Sequence, residues 1–130
     1  MIYMLDTDTV SHIVRKNNTV IEKLKRYEDD DICISTITYA EIFYGLEKKG
    51  SMKLFNEVSI IIGKMSIITF DESQSELYAK IRLELEKSGS PIGDMDMLIA
   101  AAALSIDAVL VSHNTKHFSN IKRLKVEDWT

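Results

Sequence analysis

Apolar residues recur along this chain at two spacings, and the change from one to the other marks the alternation of strands and helices. The apolar run over residues 2–5 stops at Asp6, which predicts a first strand with the aspartate at its carboxyl end. Two helical stretches follow. In the second, over about residues 19–27, Val20, Leu24 and Tyr27 recur at intervals of four and three among charged residues. Residues 29–31 mark a turn and residues 32–35 predict a second strand. Ser35 or Thr36 can cap the next helix, which carries Ala40, Glu41, Phe43, Tyr44 and Leu46 and ends at Gly50. Leu54, Phe55, Val58, Ile61 and Ile62 fit one helical face that stops at Gly63. Residues 66–70 predict a third strand, and Asp71 caps a long helix whose Leu77, Ile81 and Leu85 share a face. Lys87 and Gly89 signal its end. After Pro91, Ile92 and Gly93, residues 94–104 predict a helix that is apolar nearly all round. Residues 108–111 form a short strand, 113–119 a polar loop and 124–126 a last strand.

Strands alternating with helices predict an α/β fold of three layers, with a mainly parallel central sheet flanked by helices. No repeat, linker or low-complexity tract interrupts the pattern, so the 130 residues are expected to form a single domain, 1–130. Ligands of such sheets bind beyond the carboxyl ends of the strands. That rule points to Asp6, to Ser35 with the following Glu41, and to residues 112–115.

Composition narrows the chemistry. A net charge of −4 and a pI near 5.4 argue against nucleic-acid binding through overall charge alone, although basic clusters remain. They lie at Arg15 and Lys16, at Lys23, Lys25 and Arg26, at Lys48 and Lys49, and at Lys116, Lys122, Arg123 and Lys125. The longest uncharged apolar stretch, residues 97–106, is half of the roughly 20 residues a membrane span needs, and no signal-like segment opens the chain, so a cytoplasmic location is the expectation. The single cysteine, Cys33, sits in an apolar run and can build neither a disulfide nor a thiolate metal site.

Three acids stand out. Asp6 projects from the end of a rigid strand, where it can either ligate a metal or cap the helix that starts near Thr7, although Asp8 is the better cap. Glu41 sits among Ala40, Ile42 and Phe43, core-like neighbours that would leave its carboxylate in need of a partner. Asp96 lies in the first turn of the most apolar helix, where burying an unpaired carboxylate costs several kcal/mol. Asp94 and Asp96 do not share a helix face, so Asp94 is assigned to capping and Asp96 to the site. Gathered together, these carboxylates repel one another, and hard divalent cations relieve the repulsion. Magnesium and manganese suit carboxylate oxygens, whereas the lack of cysteine and histidine ligands disfavours zinc.

In order along the chain come MLDTDTVSHIV from Met4, ISTITYAEIFYGLEK from Ile34, SPIGDMDMLIAAAALS from Ser90, VLVSHNTKHFSNI from Val109 and the terminal LKVEDW. Together these resemble the PIN-domain ribonuclease toxins of VapC type, from bacterial and archaeal toxin–antitoxin pairs. The resemblance implies catalytic roles for Asp6, Glu41, Asp96 and Asn114, with Asp6, Asp96 and Glu41 as metal ligands and Ser112, Thr7 and Asp94 in support. It implies Mg2+ or Mn2+ as cofactor and hydrolysis of an RNA phosphodiester, transfer RNA being prominent, to leave a 5′ phosphate. Tyr39, Tyr44 or His113 could serve as stacking platforms for unpaired bases. It further implies a homodimer and a small VapB-like antitoxin that covers the acidic cleft, commonly with an arginine paired to the carboxylates. Where similar toxins place an acid before the phenylalanine of the late loop, this chain has His117 before Phe118.

Two alternatives compete. MLDTDTV also fits the nucleophile motif of haloacid-dehalogenase phosphatases, with Asp6 as nucleophile and Asp8 as acid. That family needs its third acidic pair after a strand, whereas Gly93 and Asp94 follow a helix, Pro91 and a turn. The other alternative is a degenerate PIN fold that only binds protein.

Overall fold

A computed structural model describes residues 1–27 and 31–130. The turn expected at residues 29–31 lies outside the described residues at positions 29 and 30. In chain order the elements are β1 (Tyr3–Leu5), α1 (Thr7–Val14), α2 (Asn18–Leu24), β2 (Ile32–Ser35), α3 (Thr36–Lys49) and α4 (Met52–Gly63). There follow β3 (Ser66–Ile68), α5 (Glu72–Lys87), α6 (Asp94–Ser105), β4 (Val109–Val111), α7 (Thr115–Phe118) and β5 (Lys125–Glu127). The five strands among the described residues form one sheet in the order β3-β2-β1-β4-β5, and every pairing is parallel.

Side chains alternate across a strand, and here each alternation feeds a different core. Met4, Cys33 and Leu110 point to the face covered by α5, α6 and α7, where they meet Ile81, Leu85, Ala100 to Ala103 and Phe118. Tyr3, Leu5, Ile32, Ile34, Val109 and Val111 point to the opposite face and pack on Val10, Ile13, Val20, Leu46, Val58 and Ile62 of α1 to α4. With both faces covered, the central strands have no polar side to show, which is why they read as unbroken apolar runs. Burial also pushes the Cys33 thiol up to about 12, as expected of an inert core hydrophobe. Among the described residues no helix is long and apolar enough to cross a membrane.

Several boundaries move. Asn17 caps α2, and the helix stops at Leu24; Tyr27 lies beyond it and stacks on Trp129, with ring centroids 5.4 Å apart. β3 is two residues shorter than the apolar pattern suggests, and β5 starts one residue later. The polar loop after β4 contains the short helix α7. The predicted ends at Gly50 and Gly89 both have positive φ (63° and 70°).

Candidate active site

Strand order reverses between β1 and β4: the chain leaves β1 toward β2 on one side and returns to β4 on the other. Such a switch point opens a crevice at the strand carboxyl ends. The Asp6 N–H donates to Val111 O (3.0 Å), and the Thr9 hydroxyl donates to the same carbonyl (3.0 Å). These bonds pin the start of α1 against the end of β4. An open cleft of ≈ 220 Å³ forms there, bordered by Asp6, Thr7, Asp8, Glu41, Asp96 and Asn114 among others.

Asp6 is 4% exposed and is the N-cap of α1, its Oδ1 accepting the Thr9 N–H at 2.8 Å. The cap expected at Asp8 therefore sits two residues earlier. Asp6, with extended backbone, stands outside the helix and can reach back to an N–H, whereas Asp8 is already in the first turn and turns toward the cleft. Burial raises the Asp6 carboxyl above the usual carboxylate range, and hydrogen bonds from Ser112 and Thr9 oppose that rise. Among the described residues no basic side chain forms an ion pair with Asp6 or Glu41.

Glu41 arrives on α3. Ser35 caps that helix through the Thr38 N–H (3.1 Å), and the Thr7 hydroxyl donates to Glu41 Oε1 at 2.5 Å. The neighbourhood differs from the apolar one expected: Ala40 is exposed, Ile42 and Phe43 are half-buried, and α3 buries only Thr38 and Leu46 fully. The carboxylate thus faces a polar cleft and is steadied by a hydroxyl. Ser112 is fully buried at the end of β4, where its Oγ accepts the Asn114 N–H at 3.0 Å and shapes the turn that presents Asn114 to the cleft.

Asp96 borders the cleft from the first turn of α6. Asp94 does not. It is exposed and borders a separate hollow with Arg82 and Glu86, and the cap expected of it is absent: Gly93 is the N-cap of α6 and no side chain bonds there. With Asp94 already inside the helix, its carboxylate is past the position from which a cap bond is made. The three principal acids come from three elements, and among the described residues no three Asp, Glu, His or Cys side chains already converge to ligand distance. The geometry is that of an open acidic cleft.

The sequence reading missed the groove beside the cleft. Val10, Val14, Ile42, Leu46 and Val58 line a hollow of ≈ 320 Å³ between α1, α3 and α4, with Arg15 and Lys49 at its rim and Glu41 at its junction with the acids. The gap arises only from how the three helices pack against one another, which no spacing within one helix records. Of the possible stacking residues, Tyr39 lies against Phe43 (4.4 Å), Tyr44 is exposed beside Lys48, and His113 is held by Asp128 (3.1 Å).

The PIN-domain family model matches residues 3–124. The chain is 35% identical to ribonuclease VapC2 of Rickettsia felis, over 99% of this chain and 98% of that protein. It is 30% identical to the tRNA(fMet)-specific endonuclease VapC of Salmonella typhimurium, over 98% and 97%. Among solved structures, VapBC2 from Rickettsia felis bound to a promoter DNA fragment superposes with a TM-score of 0.91 at 33% identity, covering 100% of both chains.

Proposed function

This chain belongs to the PIN-domain family and, within it, to the VapC ribonucleases, and from that premise we propose that it is the endoribonuclease toxin of a toxin–antitoxin pair, cutting transfer RNA at a cleft formed by Asp6, Glu41, Asp96 and Asn114. The observation that carries this reading is that four polar side chains from four separate segments border one cleft at the switch point of the sheet. VapC ribonucleases generally use a divalent metal ion. The donors suit a hard ion: carboxylate and amide oxygens, one carboxylate buried without a basic partner, and no thiolate within reach. We take Mg2+ or Mn2+ as that ion, held by Asp6 and Asp96 with help from Glu41. When bound, it supplies Lewis acidity and offsets the negative charge that develops on the phosphate.

The chain's own groups do the rest. Asp6, fixed by the Thr9 N–H and by Ser112, keeps one anchor in a set position as substrate enters. Thr7 holds one oxygen of Glu41 and leaves the other to accept a hydrogen bond from the attacking water. Asn114, a neutral donor and acceptor, can contact a phosphate oxygen without adding repulsion. The 3′ oxygen leaves and the product carries a 5′ phosphate. A VapB-like antitoxin covers the cleft, and the toxin works as a homodimer.

The phosphatase alternative has its third acidic station on the exposed first turn of α6, away from the cleft. Sequencing RNA ends after brief expression of wild type and Asp6→Asn tests the proposal. New 5′-phosphate ends in structured RNA loops, absent from the variant and from EDTA-treated reactions of the purified chain, are expected. Full activity in Asp96→Ala would overturn the assigned site.

A further inference from the structure

One face of α3 leads out of the acidic cleft. Glu41, Tyr44, Gly45, Lys48 and Lys49 fall at i, i+3, i+4, i+7 and i+8, the spacing of side chains on one side of a helix. At about 1.5 Å of rise per residue, Lys48 stands about 10 Å along the axis from Glu41. Phosphates of a stacked strand advance about 3.4 Å per nucleotide, so this face spans about three nucleotides beside the scissile phosphate.

Tyr44 is 66% exposed, and Lys48 Nζ lies over its ring, 5.5 Å from the centroid. Tyr39 instead lies on Phe43, and His113 is held by Asp128, so Tyr44 is the ring most open to a base. Lys48, Lys49 and Arg15, which lines the adjoining groove with Lys49, form no ion pair among the described residues. Their charge is therefore available to a polyanion. Gly45 adds a separate observation. Glycine is unfavourable inside a helix, yet a Cβ added there would meet nothing within 4 Å, so no neighbour in the chain requires it. It leaves the helix backbone bare beside Tyr44, where a sugar–phosphate can lie close.

We propose that this face of α3 is a substrate track for unpaired RNA: a base flanking the scissile phosphate stacks on Tyr44, and Lys48, with Lys49 and Arg15 beyond it, holds the phosphates that follow. An aromatic ring among cations suits single-stranded nucleic acid, since the ring accepts the face of any base and the cations track the backbone. A protein partner would be drawn to the aliphatic floor of the adjoining groove, whereas the stripe itself offers one ring and three positive charges. The inference rests on the nuclease reading and concerns how that nuclease holds its substrate.

The test uses the full, tag-free chain and a short, fluorescein-labelled single-stranded RNA of mixed sequence, in EDTA so that binding is read without cleavage. Anisotropy titrations are expected to show Tyr44→Ala weakening binding by about tenfold, the scale of one base stacked on an aromatic ring, and Tyr44→Phe restoring it. In Lys48→Ala the slope of log affinity against log salt is expected to become shallower by about 0.7, the contribution of one phosphate contact on a single strand, while Lys48→Arg keeps it. Wild type that does not bind the RNA, Tyr44→Ala that binds it as wild type does, or an unchanged salt slope in Lys48→Ala overturns the track. So does a Tyr44→Ala that keeps its RNA affinity but loses its hold on the antitoxin, which would make the stripe a protein-docking face. All of these outcomes leave the nuclease reading standing, because that reading fails only if wild type makes no Asp6-dependent RNA ends in cells.

Discussion

Asp6 carries two duties with opposite electrostatic demands. As the cap of α1 it needs only a carbonyl-like oxygen, which Asn supplies equally well, but as a cation anchor it must be charged in a buried setting. Asp6→Asn is therefore expected to keep the helix and to lose activity by more than the roughly 10–100-fold that removing an outer-shell partner costs. The stability effect runs the other way. Because burial raises the Asp6 carboxyl, its contribution in metal-free protein is greatest below the unfolded carboxylate value of about 3.9 and declines as pH rises through the higher folded value. Thermal unfolding in EDTA across pH 3 to 8 should show Asp6→Asn gaining on wild type as pH rises, then holding a constant lead; a lead that shrinks toward neutral pH contradicts the assignment. Thr7 offers a quieter test. Thr7→Val keeps the shape and removes the hydroxyl on Glu41, so turnover should fall by about 10–100-fold with the melting temperature nearly unchanged.

At the scale of elements, α1 ends under mild strain. Lys16 follows it with φ of 63°, and the backbone closes through Lys16 N–H to Ile13 O and Asn17 N–H to His12 O. A lysine in the left-handed region pays for its Cβ where glycine does not. Lys16→Gly is expected to stabilise the fold by about 0.5–1 kcal/mol, less whatever the added freedom of the unfolded chain takes back, and chemical denaturation should detect it as a higher midpoint at unchanged slope. The same region shows why some boundaries escaped the sequence. Tyr27 keeps the helical spacing of Val20 and Leu24, yet its ring is claimed by Tyr3 (4.2 Å) and Trp129, partners that are distant along the chain. The caps at Ser35 and Asp71 were legible because a side chain and an N–H three residues later decide them locally. The choice between Asp6 and Asp8, or Gly93 and Asp94, was not legible, since it turns on where helical backbone begins, which the strand ends set.

On the scale of the whole molecule, Asp6, Glu41 and Asp96 tie β1, α3 and α6 to one cleft, so an ion bound there would connect both helical layers through the sheet. Binding to the folded form alone should add about 2.7 kcal/mol at a cation concentration 100 times Kd. Differential scanning calorimetry with Mn2+ should register that gain in wild type and not in Asp6→Asn; an equal gain in both would place the ion elsewhere. The apolar strand runs, the alternation of strand with helix, and the place of Asp6 just past the first strand were determined by the sequence itself, because hydrophobic periodicity and helix caps are short-range properties of neighbouring residues. The order β3-β2-β1-β4-β5, the switch point beside Asp6, the groove between α1, α3 and α4, and the approach of His117 to Asp96 were decided only by the tertiary structure. Each depends on which distant segments pack together, and that is settled by burying both faces of the sheet at once.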